Sequence, residues 1–443
     1  MTFNDFNLNT PLLNALSDMA ITHPTTIQKK AIPAVMSGTD LVGVAQTGTG
    51  KTLAYLIPCL RLWKYSKTRW PQILILVPTR ELVIQVVNEV EKLTKYMNVV
   101  TVGIYGGANI KTQSQQVYNG LDVLVATPGR LFDIMMMGTL RLKTVKMLVI
   151  DEMDEMLNLG FRPQLVSILD ALPQRKQNLM FSATLTDDVE AFINDYFGVP
   201  LKIEAAPSGT PLEDIHQSKY AVPNYYTKVN LLKHLLNDTA TYTRVLVFTA
   251  TKKMADQVFE ALEPLFPESL GVIHSNKAQN NRFNTVKKFQ NGTYRILIAT
   301  DIVARGIDVS EVSHVINFDI PEVPENYIHR IGRTGRADRK GNSLAFFTHK
   351  EEDAIGRIEQ LMNQTIEILE IPDEVAVSEI LTPDEMPDDK QKEIQIRRPS
   401  IEEKGPAYHE KKEKNKKVNV KITRAQKMKL KYNKPKSRGG KRK

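Results

Sequence analysis

Cysteine is nearly absent from this chain of 443 residues. The single residue Cys59 cannot form an intrachain disulfide, and a zinc site built from several thiolates is excluded. Cys59 lies in an apolar run, where a free thiol is usually a buried packing residue. No apolar run approaches the roughly 20 residues that a membrane-spanning helix needs, and no basic-then-apolar signal pattern opens the sequence. We therefore expect a soluble, cytoplasmic protein.

Acidic residues are scarce at the C-terminal end. Residues 404–443 contain 17 Lys and Arg but two Glu, a net charge of +15, whereas the whole chain carries +9 and its remainder −6. This asymmetry is typical of a soluble core with an arm that binds polyanions. The arm has too little apolar content to offset its ordering entropy, so we predict that it is disordered.

Short apolar runs alternate with longer helical patterns along most of the chain, as in parallel sheets covered on both faces. A polar segment with two prolines and a glycine indicates a linker at 206–217. We predict α/β domains at 1–205 and 218–370 and a variable extension at 371–443. The predicted strands are 41–45, 73–77, 100–105, 123–126, 147–151 and 179–181, then 244–248, 270–274, 295–299, 314–318 and 343–347.

A glycine-rich loop follows the first predicted strand and fits the phosphate-binding pattern, with Ala45 in place of the usual first glycine. Its glycines let backbone N–H groups approach phosphate oxygens, and the following helix N-terminus adds a favourable dipole. Lys51 would reach the β- and γ-phosphates, and Thr52 would hold Mg²⁺. The predicted nucleotide ligands in this loop are Thr47, Gly48, Thr49, Gly50, Lys51 and Thr52.

Two acidic residues follow the predicted strand at 147–151, where open α/β sheets bind their ligands. Asp151 is placed to position Mg²⁺, partly through water, and Glu152 to orient or deprotonate the attacking water. An acidic pair alone is a weak signal, but an upstream phosphate loop makes it a strong one. Lys51, Asp151 and Glu152 are therefore predicted to be catalytic.

The order of these motifs resembles the DEAD-box RNA helicases of helicase superfamily 2, from residue 3 to about residue 350. The resemblance implies two tandem RecA-like domains, with parallel sheets flanked by helices, and an RNA-dependent ATPase. Gln28 is similar to the family's adenine-reading glutamine, and Phe3 to its isolated upstream aromatic residue. The resemblance assigns RNA contacts in the first domain to Pro78, Thr79, Arg80, Gly106, Gly107, Thr127, Pro128, Gly129 and Arg130.

The second half carries motifs that resemble the same family. By carry-over, Arg333 and Arg336 are arginine fingers, which suits two guanidinium groups that clamp an oxyanion as charge develops. Gly306 and Asp308 would contact the nucleotide. RNA contacts are assigned to Phe248, Gln279, Arg282, Thr300 and Arg305, and coupling of hydrolysis to strand separation to Asp154, Ser182, Thr184 and His329.

Three positions depart from the family pattern. Met153 replaces the alanine of Asp-Glu-Ala-Asp, Ala20-Ile21 replaces a Gly-aromatic pair, and Asp338 stands where glycine is common. The second change predicts weaker adenine stacking. We expect Met153 to point away from its acidic neighbours by strand alternation and to pack beneath the site. The trio of methionines at 135–137 is expected to pack a helix.

The RNA-side motifs are poor in aromatic residues that could stack bases, which predicts contacts to phosphates without sequence reading. Two alternatives remain open: a DNA helicase of the same superfamily, and an RNA chaperone with weak ATPase activity. A monomer is expected, since no dimerisation signal is evident. Ribosome assembly, mRNA decay and cold adaptation are all compatible with such a core.

Overall fold

A computed structural model describes residues 1–45, 48–67, 70–204, 215–277, 279–301, 312–335, 340–383 and 385. The basic tail and most of the predicted linker lie outside these residues. So do Thr47, Arg305, Gly306, Asp308, Arg336 and Asp338, together with the side chain of Gln279.

The first lobe is built on a parallel sheet whose described strands run in the order β3-β4-β2-β5-β6-β1-β7. These strands are β1 Leu41–Val44, β2 Ile73–Leu76, β3 Thr101–Ile104, β4 Val123–Ala126, β5 Met147–Ile150, β6 Gln177–Ser182 and β7 Leu201–Glu204. A 3₁₀ turn at Phe3–Phe6 precedes the helices α1 Thr10–Asp18, α2 Thr26–Met36, α3 Lys51–Leu62, α4 Arg80–Leu93, α5 Ile110–Tyr118, α6 Pro128–Met136, α7 Met153–Asn158, α8 Arg162–Ala171 and α9 Asp187–Tyr196.

The second lobe repeats this plan, with its described strands in the order β10-β11-β9-β12-β13-β8-β14. They are β8 Ile215–Ala221, β9 Val245–Thr249, β10 Leu270–Ile273, β11 Ile296–Thr300, β12 His314–Asn317, β13 Gly341–Phe347 and β14 Glu367–Leu369. The helices are α10 Tyr225–Asn237, α11 Lys252–Leu262, α12 Gln279–Gln290, α13 Pro324–Ile331 and α14 Glu352–Met362, with a 3₁₀ turn at His349–Glu351. Counted from its first strand, each lobe has the same strand order, so the predicted fold class of two tandem α/β units with parallel sheets is confirmed.

The central strands form where the apolar runs are, because both faces of each sheet are covered by helices. Separate clusters of buried aliphatic and aromatic side chains fill the two faces of the first sheet. Several helices begin at a side chain that accepts a hydrogen bond from the first turn and so fixes the start of the helix. These capping residues include Asn9, Thr79, Thr186, Asn224 and Thr251.

Strands β7, β8 and β14 were not predicted. Strand β8 begins at Ile215, inside the predicted linker, and its inward residues Gln217, Ser218 and Lys219 are polar yet buried. The Lys219 ammonium is neutralised by the Glu359 carboxylate at 2.6 Å. Buried polar side chains that are paired in this way give no apolar signal in the sequence.

The helix-packing prediction for the methionine trio is wrong for two of its members. Met136 is 72% exposed and Met137 48% exposed, and Met135 alone packs against the core. Cys59 is buried as predicted, and burial raises the pKa of its thiol to about 12. Within the described part of the chain, no helix combines the length and apolar character needed to cross a bilayer.

Lys228 supplies a stability prediction, because its buried ammonium lies 2.8 Å from Glu351 and 3.5 Å from Asp319. Replacing Lys228 with alanine leaves the buried Asp319 carboxylate and the partly buried Glu351 carboxylate without their ammonium partner, so we expect a loss of about 3–5 kcal/mol in the free energy of unfolding. Urea denaturation followed by circular dichroism measures it. The control is Lys233→Ala on the same helix, because the Lys233 side chain is partly exposed.

The Lys228–Glu351 pair predicts that the free energy of unfolding depends on pH. Burial raises the pKa of Glu351, but Lys228 outweighs burial and holds this pKa below its usual value. The stabilisation is therefore present at neutral pH and is lost as the pH falls through the lowered pKa. The difference between wild type and Lys228→Ala should shrink in acid, and a constant difference from neutral to acidic pH would contradict the assignment.

Candidate functional site

The phosphate-loop residues Gly48 and Gly50 lie between β1 and α3, at the carboxyl edge of the first sheet. Both have positive φ, 87° and 91°, a conformation that glycine adopts without strain. A methyl group on Gly50 would come within 2.5 Å of the Gln28 amide. Gln28 Nε2 donates to the Gly50 carbonyl at 3.1 Å, and Gln28 Oε1 accepts from the Thr25 amide at 3.0 Å. Gln28 therefore holds the loop backbone in place, a role that the predicted adenine contact of Gln28 did not include.

Lys51 opens helix α3 and is buried, with 6% of its surface exposed. Within the described residues its Nζ has no hydrogen-bond partner. A buried ammonium without a partner is costly unless an anion joins it. The glycine cradle, the helix N-terminus and this ammonium together fit a nucleotide phosphate.

Asp151 follows β5 and faces the same edge. Its Oδ2 accepts a hydrogen bond from the buried Tyr55 hydroxyl at 3.1 Å, and its Oδ1 accepts from the Glu152 amide at 2.9 Å. Burial raises the pKa of Asp151 to about 6, while Lys51 opposes the rise. Glu152 has φ 54°, a left-handed conformation that costs a residue with a side chain about 1–2 kcal/mol.

The donor set fits Mg²⁺. This ion is usually held by one or two carboxylates together with substrate phosphates, rather than by a cage of protein ligands. Asp151 and the Thr52 hydroxyl are the residues that would hold it, partly through water. When bound, the ion would neutralise charge on the phosphates.

Asp154 lies in the first turn of α7 and joins three parts of the site. Its Oδ2 accepts hydrogen bonds from the Thr184 hydroxyl at 2.9 Å and amide at 3.0 Å, and from the Ala183 amide at 3.2 Å. The Asp154 amide donates to the Ser182 hydroxyl at 3.3 Å. His329 Nε2, from the second lobe, lies 3.7 Å from the same carboxylate.

These contacts also set the charge of Asp154. Burial on its own would raise the pKa of the carboxyl, but His329 and the Thr184 hydroxyl hold that pKa well below its usual value. The carboxylate therefore stays ionised in a buried place. The structure brings together Asp154, Ser182, Thr184 and His329, the four residues predicted to couple hydrolysis to strand separation.

Two helix N-termini in the first lobe lie where RNA contacts were predicted. Thr79 caps α4 by accepting from the Leu82 amide at 3.3 Å, and Thr127 precedes α6, whose first residue is Pro128. Free N–H groups at such ends bind phosphate oxygens without reading bases. Pro78 is buried beside this edge, and Gly129 lies in the first turn of α6.

Two arginines organise the neighbouring glycine loop. Arg130 Nη1 donates to the Ala108 carbonyl at 3.0 Å and to Gln113 Oε1 at 2.6 Å. Gly107 has φ 81°, and a methyl group there would lie 2.7 Å from Arg80 Nη1. Gly106 has open space at the corresponding position. The guanidinium groups thus lie against the loop backbone and shape the surface offered to a strand.

Arg330 is the central charged residue of the second lobe. Its guanidinium makes a bidentate pair with the Asp301 carboxylate at 2.6 and 2.8 Å, donates to Asn317 Oδ1 at 3.1 Å, and lies 5.1 Å from the ring centre of Phe248. The Phe248 ring is 2% exposed. The ring therefore supports Arg330 from within the core, and the RNA contact assigned to Phe248 stays a prediction.

Arg282 contacts the first lobe. Its Nη2 lies 2.6 Å from the Glu81 carboxylate on α4, and both side chains are buried. Thr300 ends β11 and is buried, and Arg333 is buried just after α13. The Phe3 ring is also buried, in the first-lobe core, with its centre 6.1 Å from that of Phe6.

Comparison with known proteins identifies the family. Residues 25–192 match the DEAD/DEAH box helicase family, and residues 227–338 match the helicase conserved C-terminal domain. The DEAD-box ATP-dependent RNA helicase RhpA of Helicobacter pylori is 38% identical over 371 residues, which cover 84% of this chain and 74% of RhpA. CshA of Bacillus cereus is equally similar, with 70% of its length covered. The chain belongs to the DEAD-box ATP-dependent RNA helicase family.

Solved structures agree with this assignment. Saccharomyces cerevisiae Dbp5 bound to RNA and ADP BeF3 has a TM-score of 0.76 and 28% identity, over 84% of this chain and 96% of that one. Mss116p bound to ssRNA and AMP-PNP also has a TM-score of 0.76, with 27% identity over 84% of this chain and 78% of that one. The RecA-like fold predicted for both lobes of this DEAD-box protein is thus confirmed.

Sequence reasoning missed three contributors to the site of this family member: Tyr55, Glu81 and the Asp301–Arg330 pair. Tyr55 lies on the buried face of α3, where its ring looked like packing. Glu81 and Arg330 lie inside recognised motifs, so attention to every polar member of those motifs could have found them. Their roles are to hold other residues, which spacing alone does not reveal.

Met153 is fully buried and packs in the first-lobe core, as predicted. The predicted reason, strand alternation, is wrong. Strand β5 ends at Ile150, the left-handed Glu152 turns the backbone, and Met153 is the first residue of α7. The turn of the backbone, and not a pleat, directs this side chain away from the phosphate edge.

Replacing Met153 with alanine should leave a cavity in this packed cluster. We expect a loss of about 2–5 kcal/mol in unfolding free energy, with ATPase activity per folded molecule within a few-fold of wild type. Thermal denaturation and steady-state ATPase measure the two quantities. Met136→Ala is the matched control, because Met136 is exposed. An unchanged melting temperature with sharply altered ATPase would contradict the packing role.

Proposed function

We propose that this protein is an ATP-dependent RNA helicase that binds single-stranded RNA across both lobes without reading its sequence. ATP hydrolysis, with Mg²⁺ held by Asp151 and Thr52, would drive local separation of duplexes or remodelling of RNA–protein complexes. Support comes from the family, whose relatives are named RNA helicases, and from solved relatives bound to RNA. We further propose that it acts as a cytoplasmic monomer.

The observation that carries the mechanism is the division of one site between two lobes. Lys51, Asp151 and Glu152 lie in the first lobe, and Arg333 with His329 in the second. The Asp154–His329 and Glu81–Arg282 contacts join these halves at 3.7 and 2.6 Å. Since parts of both lobes must meet before the site is complete, a ligand that spans both lobes promotes hydrolysis.

Each group has a separate task in this proposal. The Lys51 ammonium and the loop amides bind the phosphates, and Glu152 orients or deprotonates the attacking water. The arginine at 333, together with Arg336, would stabilise charge that develops on the transferred phosphoryl group. Asp154 would couple this site to Ser182 and Thr184 in the first lobe and, through His329, to the second lobe. Backbone amides at the starts of α4 and α6 would hold RNA phosphates.

Glu152 provides the direct test. Replacing Glu152 with glutamine should preserve ATP affinity and lower RNA-stimulated turnover about 10²–10⁴-fold, as when a positioned acid–base group is removed. Nucleotide binding and ATPase are measured with and without single-stranded RNA. The control is Glu190→Gln, which makes the same change of carboxylate to carboxamide at an exposed position on α9. Full ATPase activity of the wild type without RNA would overturn the proposed mechanism.

The basic tail should add RNA affinity that is independent of the cleft. Removing residues 404–443 deletes a charge of +15. RNA affinity should fall, and its salt dependence should flatten by about 0.7 log units per log[salt] for each phosphate that the tail no longer neutralises. ATPase at saturating RNA should change little.

A tail of equal length with its lysines and arginines replaced by glutamine separates charge from length. We expect it to behave like the deletion, because the proposed contribution is electrostatic. Unaltered affinity and salt slope in both variants would assign the tail to a different partner.

A further inference from the structure

The region from His274 to Thr300 contains no aspartate or glutamate, although the chain outside the tail is acidic overall. It contains three lysines, two arginines and seven asparagines or glutamines. Helix α12 lies in this region and packs against β10, the edge strand of the second sheet. A long segment without acid on an otherwise acidic body favours a polyanionic ligand.

A groove of about 550 Å³ runs between α12 and β10 on the side away from the first lobe's α4. Lys277, Asn281, Asn284, Lys288, Asn291 and Tyr294 are among the residues that line it. Lys287 also lines it and in addition lines the cavity between α12 and α4, where Glu81, Glu89 and Glu91 lie. None of the described side chains that line this groove is acidic. The Lys277 ammonium is paired with the Asp256 carboxylate of α11 at 3.0 Å. The ammonium groups of Lys287 and Lys288 and the asparagine amides are donors that suit phosphate oxygens.

The floor of the groove is closely packed. A methyl group at Gly271 would come within 2.7 Å of the Tyr294 ring and 2.9 Å of Thr285. Lys288 Nζ lies 5.1 Å from the centre of the Tyr294 ring. The partly buried ring thus forms a wall beside an exposed ammonium, and the helix cannot move inward to close the groove.

One end of the groove lies near the first lobe, at the carboxyl edge of the second sheet. Lys277 lies just after β10, at the carboxyl edge where the cleft is, and Asn281 adjoins Arg282, which faces the first lobe. Asn291 and Tyr294 lie at the opposite end of α12. A helix of 12 residues spans about 18 Å, which is long enough for a few nucleotides of an extended strand.

We propose that this groove is an accessory binding site for single-stranded RNA, which holds the phosphodiester backbone of nucleotides that extend beyond the cleft. The inference rests on the proposed function, because it assigns the path of RNA that the cleft already binds. Lys287 and Lys288 would contact phosphates, and the asparagine amides would add neutral donors. The site would give longer RNAs an advantage over RNAs that fill the cleft alone.

The test compares two oligouridines, of about 6 and about 20 nucleotides, bound by the full chain and followed by fluorescence anisotropy. In Lys287→Ala/Lys288→Ala, the salt slope for the long RNA should fall by about 1.4, since each neutralised phosphate contributes about 0.7. Near 0.1 M salt this corresponds to roughly a 25-fold loss of affinity. Affinity for the short RNA and ATPase at saturating short RNA should stay at the wild-type level.

Lys143→Ala/Arg175→Ala is the matched control. It removes the same charge from exposed positions before β5 and β6, at the amino edge of the first sheet. A second variant, Asn284→Asp/Asn291→Asp, keeps side-chain size and adds carboxylates to the groove. It should also lower the affinity for the long RNA while leaving the affinity for the short RNA unchanged. This variant keeps the test valid if the lysine variant folds poorly.

Three results would overturn the accessory site. The Lys287→Ala/Lys288→Ala variant could keep the wild-type preference for the long RNA, it could lose equal affinity for both RNAs, or the control variant could lose as much affinity for the long RNA. Each of these would leave RNA-stimulated ATPase intact in the wild type. Failure of the proposed function would instead appear as a wild-type ATPase that no RNA stimulates. The two failures are therefore distinguishable.

Discussion

The rest of this structure depends on the contacts of one ionised carboxylate, that of Asp154. It accepts three hydrogen bonds from the turn after β6 and lies 3.7 Å from His329 of the other lobe. A buried charge deprived of these partners would be costly, so the turn, the carboxylate and the second lobe stabilise one another. Because Asp154 is two residues from Glu152, a shift of either lobe alters the surroundings of the hydrolytic site.

A second constraint holds the RNA side of the cleft. The Glu81–Arg282 pair is buried between α4 and α12, so separating the lobes would expose both charges to water but also break a contact of 2.6 Å. A buried ion pair adds little net stability compared with two solvated charges, whereas removing one of its partners is strongly destabilising. Such a pair fixes the position of one lobe against the other while adding little to the stability of their association.

Sequence reasoning was strong where a signal is local and weak where a residue acts through another. The central strands and the phosphate loop follow from apolar runs and glycine spacing, and the structure contains them. Strand β8 escaped notice because its buried residues are polar and paired, as Lys219 is with Glu359. The contact of the Phe248 ring with Arg330 was not foreseen, because this partner lies 82 positions later in the chain. The burial of Met153 was predicted on a strand geometry that the left-handed Glu152 replaces.

The repeated strand order has a consequence for stoichiometry. In the second lobe, the turn between β8 and α10 occupies the place that the phosphate loop has in the first. There, Asn224 Oδ1 accepts hydrogen bonds from both the amide and the hydroxyl of Thr227 at 2.9 Å, so the side chain of the protein itself occupies the helix start. In the part of the chain that the structure describes, two lobes of one topology thus offer a phosphate cradle in the first lobe alone, which predicts that one chain binds a single nucleotide.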